Sequence, residues 1–274
     1  MLAAVLIGTG FLYYRSSSAD PSQAGPTCRL TTPGSAGAGD TVPTGAQVVE
    51  TGYSKVGPVV SMGSMIRNET GKVAYRTLVT FEAVDSAGRA VVDPDTRDWL
   101  TQVVPVLRPG DTAAVGTSAL IGRNADQSLK TIDSIKVTLT VDRWLDPGDG
   151  NTGLGPVTAA VIVGSGQRND DAGGSLRFAS ESANCASVRN NVRTGMTSRG
   201  VSLVFRDESG RIVGGNLDTG RQDESCLPGR QENRLLTVYQ PAIPPWADLD
   251  RTSISVYCDF DRPPASKVPG TPIN

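Results

Sequence analysis

The sequence predicts an all-β protein: two tandem antiparallel β-sandwiches behind an N-terminal hydrophobic segment and a flexible spacer. Three observations predict this. Apolar and polar residues alternate over short runs, no long stretch carries helical periodicity, and one part of the chain recurs further on.

The recurrence is ordered. Ile66-Arg67-Asn68 returns as Val188-Arg189-Asn190, and at the same offset Asp85, Gly88 and Arg89 return as Asp207, Gly210 and Arg211. After one short gap, Pro109-Gly110 returns as Pro228-Gly229. Ser134, Ile135, Val137, Val141 and Asp142-Arg143 return as Ser253, Ile254, Val256, Phe260 and Asp261-Arg262. Single tripeptide matches arise by chance; four in sequence order do not.

Each copy reads as strands. Val79, Phe81 and Ala83 alternate with Thr80 and Glu82, and Val201, Leu203 and Phe205 take the same places in the second copy. Ile135, Val137, Leu139 and Val141 alternate with Lys136, Thr138 and Thr140. A period of two with one wet face marks an antiparallel sheet covered on one side. The Asp-x-x-Gly-Arg motif is a hairpin turn, in which Gly supplies positive φ and Asp caps the turn backbone. Single helical turns are expected at Asp93–Leu100 and Pro244–Leu249. The expected organisation is a signal-anchor or signal-peptide remnant at 1–15 and a spacer at 16–45. A first sandwich at 46–145, a linker at 146–156, a second sandwich at 157–264 and a tail at 265–274 complete it.

Met1 to Tyr14 is an apolar run, and Ser16 to Thr44 is rich in Ser, Ala, Gly and Pro, as a spacer is. This predicts membrane tethering or secretion. Composition narrows the function. The chain of 274 residues has no histidine, which removes the commonest general base and transition-metal ligand. A net charge of −2 with interspersed signs points away from nucleic acid. Ser/Lys and paired-carboxylate chemistry lack the required setting, so no enzyme, no cofactor and no metal is expected.

Four cysteines, Cys28, Cys185, Cys226 and Cys258, fit an oxidising compartment and a structural disulfide. Cys226 falls at the repeat position of Leu107, and Cys258 at that of Leu139, which favours a Cys226–Cys258 pair. Cys185 with Cys226 is the alternative, with Cys28 bonded to whichever cysteine is left. Asp146 to Gly153 and Asn169 to Gly174 hold acidic and amide oxygens among glycines; linker and hairpin-tip roles outweigh calcium there. Asn68-Glu69-Thr70 matches a glycosylation sequon and is read as incidental. Trp246, in the Pro-rich run Pro241 to Trp246, and Trp144, beside the junction of the copies, are the candidate binding-loop residues.

Asn68, the strand ending near Ala83, the Asp85–Gly88 turn and Leu107 to Gly110 resemble FxLYD-type, immunoglobulin-like extracellular domains of bacterial, notably actinobacterial, envelope proteins. Asn190, Asp207, Gly210 and Pro228-Gly229 carry the resemblance in the second copy. It implies an immunoglobulin-like sandwich, a non-catalytic role and no site residues. The expectation is therefore an envelope binding or structural module with a protein or cell-wall ligand. The other expectation is a solute- or calcium-binding accessory protein of a membrane complex.

Overall fold

The computed structural model describes residues 45–147, 155–169, 173–189, 192–195, 197–220, 222–238, 242–260 and 274. The expected N-terminal segment, the spacer up to Thr44, Cys28 and Asp149 to Gly153 lie outside these residues. So do Asn190 and the expected tail except Asn274. Among the described residues no helix is long and apolar enough to cross a membrane.

The chain is built of antiparallel sheets. In the N-terminal half, β1 (Ala46–Val56) and β2 (Val59–Asn68) form a hairpin, and β3 (Val73–Val84) follows. A 3-10 turn over Pro94–Leu100, capped by the Asp93 side chain, leads into β4 (Thr101–Leu107). Then come β5 (Thr112–Leu120) and β6 (Ser134–Leu145). One sheet has the order β1-β2-β5, the other β4-β3-β6. Val60, Met62, Ile66, Val79, Phe81 and Val115 are buried between them, as the alternation of the sequence requires.

The C-terminal half comprises β7 (Val157–Val161), β8 (Gln167–Arg168), β9 (Gly174–Ser182) and the hairpin β10 (Ala186–Arg189) and β11 (Val192–Gly195). It continues with β12 (Thr197–Arg206), β13 (Ile212–Asp218), β14 (Gly229–Val238) and β15 (Asp248–Asp259). Its sheets are β7-β9-β14, with β8 on β9, and β13-β12-β15. With β8, β10 and β11 set aside, the six remaining strands repeat the order of the first half. Leu176, Phe178, Leu203, Phe205 and Leu236 centre a second core.

The repeated turn is the same at the level of atoms. The Asp85 carboxylate accepts the Ala87 and Arg89 N–H groups, each at 2.9 Å, and pairs with the Arg89 side chain. Asp207 likewise accepts Ser209 Oγ at 2.6 Å and Arg211 N–H at 3.0 Å, and pairs with the Arg211 side chain. Gly88 and Gly210 supply φ of +76° and +87°. The Ser209 hydroxyl, then Arg211, holds the Asp207 carboxyl down to about 2. A depressed folded-state value adds stability above the unfolded value of about 3.9 that is lost as pH falls towards 2. Asp207→Asn should therefore flatten the loss of thermal stability between about pH 4 and pH 2. Melting temperatures of both proteins across that range are the check.

Four expectations are corrected. Val188-Arg189 lies in the β10–β11 hairpin, whereas Ile66 to Asn68 ends β2, so that tripeptide match joins different elements. Pro244 to Leu249 is a turn, closed by Ala247 N–H on the Pro244 carbonyl at 3.0 Å, and β15 starts at Asp248. The last strand is slid by two residues: Phe81 faces Val137, but its counterpart Leu203 faces Ile254, the counterpart of Ile135. An even slip keeps the inward face inward. Finally, β12 has no wet face. Ser202 and Val204 are both fully buried, because the first half covers them.

Candidate functional site

The junction between the halves is assembled from small residues. The outer face of the β1-β2-β5 sheet, with Ser61, Gly63 and Gly116, lies on the outer face of the β13-β12-β15 sheet. Facing sheets normally stand about 10 Å apart. Here the backbones approach far more closely: a Cβ placed on Gly116 would lie 1.9 Å from the Leu203 carbonyl oxygen, and one on Gly63 2.4 Å from that of Gly214.

Edge strands of each half are capped by side chains of the other. Ala114 and Gly116 donate their outward N–H groups to Ser255 Oγ at 2.9 Å and Ser202 Oγ at 2.7 Å. Tyr257 donates its hydroxyl to the Ala114 carbonyl at 2.7 Å, and burial pushes that phenol well above its ordinary pKa. In return, Ser61 Oγ both accepts from Gly215 N–H and donates to its carbonyl, each at 3.0 Å. Ser54 Oγ donates to the Val213 carbonyl at 2.5 Å. These bonds satisfy edge groups that would otherwise be buried without partners.

A charge cluster closes one side of the junction. Asp259, at the end of β15, is fully buried, with Oδ2 at 3.0 Å from Arg76 Nε and 2.7 Å from Arg199 Nε. Tyr75 donates its hydroxyl to Oδ1 at 3.1 Å, and Phe260 N–H donates to the same oxygen at 2.8 Å. Arg76 sits at φ +55° within β3, a strained backbone held by this cluster. Arg199 also donates to the Asn274 carbonyl at 2.7 Å. The Asn274 side chain in turn bridges Val103, accepting its N–H at 2.8 Å and donating to its carbonyl at 2.9 Å.

Cys226 and Cys258 are disulfide-bonded, which rules out the Cys185–Cys226 alternative. Leu107 ends β4, whereas Cys226 ends a 3-10 turn over Asp223–Cys226, yet both directly precede the Pro-Gly turn into the next strand. The bond ties that turn to β15. Cys185 is also in a disulfide, and Cys28 lies outside the described residues. A Cys226→Ala/Cys258→Ala protein should lose about 3–4 kcal/mol, the chain-entropy value for a loop of 32 residues. Urea unfolding of the two oxidised proteins measures it.

Among the described residues, two of the surfaces open to a ligand stand out. The first is a cleft of about 310 Å³ between the halves, walled by Val104 to Arg108, Gly155 to Ala159 and Ile254 to Cys258. Arg108 stands at its rim beside Asp111, 3.8 Å away; burial draws its pKa down and Asp111 opposes this. Buried Asn184 donates to the Cys226 carbonyl at 3.2 Å, and its Oδ1 has no partner among the described residues.

The second surface is Trp246. The residue is 53% exposed, on a turn whose flanks Ala242, Ile243 and Ala247 are buried. Arg168 pins the turn, donating to the Pro244 carbonyl at 3.0 Å and the Ala247 carbonyl at 2.6 Å. Trp144, by contrast, lies in β6 and is buried in the first core. The structure therefore does not bring the two tryptophans to one surface.

Asn68 is fully buried. Its amide donates to the Lys72 and Leu107 carbonyls at 2.7 and 2.8 Å, and its Oδ1 accepts Thr70 N–H and Oγ1. That organises the β2–β3 turn and leaves no glycan acceptor. No group of metal-ligating side chains occurs among the described residues. The glycines and serines of the junction are the functional feature that sequence reading missed. Gly63, Gly116 and Gly214-Gly215 inside strand patterns were the available signal, because strand glycines mark close backbone approach.

No protein-family model matches the chain, and no curated protein matches its sequence.

Proposed function

We propose that the chain is a non-catalytic extracytoplasmic module of a cell envelope, in which two immunoglobulin-like sandwiches are fused into one block that presents a binding surface. The strand orders β1-β2-β5 with β4-β3-β6, and their repetition, fit immunoglobulin-like sandwiches of which six strands each lie among the described residues. The oxidised cysteines favour an export compartment.

The junction carries the reading. Tandem domains normally move relative to each other unless a large interface holds them. Here glycine contacts, reciprocal serine caps and a buried ion cluster fix the second half against the first. A mere spacer has no use for that stiffness. A binding module does, because preorganised surfaces lose less entropy on engagement. Trp246, on its pinned turn, is the anchor, and the ligand is a protein or cell-wall component that covers an aromatic ring.

The test is cosedimentation of the purified chain with isolated envelope fragments. Trp246→Ala should weaken binding about tenfold with unchanged melting, as expected for loss of one aromatic anchor. Retention of Trp246→Ala equal to that of the parent, or no retention of either, rejects the binding role.

A further inference from the structure

We infer that the outer edge of β6 is a pairing surface for a second copy of this chain, giving an antiparallel, two-fold dimer with one continuous six-stranded sheet.

The inference starts from how the other edges are handled. β5 and β13 are capped by side chains across the junction. β4 carries Pro105 on its outer edge, with Asn274 bonded at Val103 and Asn68 at Leu107. β1 and β14 are broken by bulges at Val48/Glu50 and Gln231/Arg234. β7 is short, and β7 and β15 border the cleft. From Ile135 to Val141, β6 shows none of these devices among the described residues. It is 12 residues long, has no proline and holds one register along β3. Among the described residues no strand pairs with its other side. Such an edge is a ready template for another strand.

The direction of its backbone groups follows from the ladder. Val103, opposite Leu78, bonds Asn274 on both its N–H and its carbonyl, so odd residues of β4 face away from β3. The Ala83 carbonyl accepts Val91 N–H, so odd residues of β3 face away from β6. Even residues of β3 and β6 thus bond each other, and Ile135, Val137, Leu139 and Val141 offer their N–H and carbonyl groups outward. The side chains of these same residues point to the core yet stay only partly buried, whereas Val79 and Phe81 beside them are closed off. An added strand would cover them.

The sequence of β6 is complementary to itself. Antiparallel pairing about Leu139 puts Val137 opposite Val141 and Thr138 opposite Thr140 of the second copy. It also puts Lys136 opposite Asp142, twice by symmetry. Lys136, Thr138, Thr140 and Asp142 all stand on the exposed face. Pairing about Thr140 overlaps the strand equally, but it puts Lys136 opposite Trp144, so charge selects the Leu139 register. Cross-strand opposite charges and Thr–Thr contacts favour it, and like charges there oppose it.

Sedimentation equilibrium of the purified full chain tests this. The parent should dimerise. Lys136→Asp and Asp142→Lys should each weaken dimerisation on the order of tenfold, because each turns two attractive pairs repulsive. The double exchange Lys136→Asp/Asp142→Lys should restore it, since each Asp again meets a Lys. Both substituted positions are on the exposed face, so melting temperatures should stay constant. Hydrogen exchange gives an independent reading: the Val137, Leu139 and Val141 amides should slow as concentration rises. A chain that remains monomeric at hundreds of micromolar overturns the proposal. So does an association that all three variants leave unchanged, which would belong to another surface.

Discussion

Gly116→Val should destabilise the protein by roughly 3 kcal/mol or more, although it improves the local strand. Valine is among the best strand formers, and β5 pairs regularly with β2 through Gly116. Local propensity alone therefore predicts a gain. The junction predicts the opposite, because a Cβ at this position would meet the Leu203 carbonyl at 1.9 Å, the Asn216 nitrogen at 2.5 Å and the Gly215 Cα at 2.8 Å. All three are backbone atoms, so no rotamer change relieves the overlap. The two sheets must separate, and the Gly116–Ser202 and Ala114–Ser255 hydrogen bonds break with them.

Gly71→Ala is the matched control. A Cβ there meets nothing within 4 Å, and its effect should stay within about 0.5 kcal/mol. Urea unfolding followed by tryptophan fluorescence reads both. Trp99 and Trp144 report the first half and Trp246 the second, so the parent should show one transition and Gly116→Val two. A Gly116→Val protein with the parent's midpoint would mean that the halves part at no cost.

The features of this fold that sequence made legible are those set by local chemistry. Asp85 and Asp207 each need a glycine three residues on and an arginine four on to close their turns, so the motif stands out unaided. The inward faces of β3, β6 and β12 follow from alternation, and Asp93 before Pro94 announces the 3-10 turn that follows. The disulfide was legible because two leucine positions of one copy became cysteines in the other.

The features that were not legible belong to contacts between the halves. Ser202 looks like a solvated strand residue until Gly116 lies against it, since a serine reads the same whether it faces water or a buried N–H. Tyr257 and Asp259 fall on the face that alternation calls wet. The first is buried by the β5 edge, the second by two arginines from opposite halves. The candidate site has the same division. A Pro-rich run suggested that Trp246 stands on a loop, which it does; Trp144 followed an alternating strand and was drawn into it.

Asp259→Ala should be the most costly single substitution of a charged residue, at about 3–5 kcal/mol. The carboxylate is fully buried and lies within 3.0 Å of both Arg76 and Arg199. These two partners will not suffer equally. The Arg76 side chain is 27% exposed and can turn its guanidinium to water, whereas Arg199 is 4% exposed and cannot. The penalty therefore falls mainly on Arg199, which keeps its bond to the Asn274 carbonyl but loses the Asp259 charge in a low-dielectric setting. The Tyr75 hydroxyl and Phe260 N–H, both bonded to Asp259, lose their acceptor as well. Asp259→Asn should cost nearly as much, since a neutral amide restores one acceptor but no charge. Asp259→Leu/Arg199→Met should recover part of the loss, because it removes the buried Arg199 cation together with the carboxylate that balanced it. The surface Asp85–Arg89 pair sets the scale: Arg89→Ala should move the urea midpoint far less than Asp259→Ala. Urea midpoints of these proteins decide the matter. A double variant no more stable than Asp259→Ala would show that Asp259 acts through its hydrogen bonds to Tyr75 and Phe260 rather than through its charge.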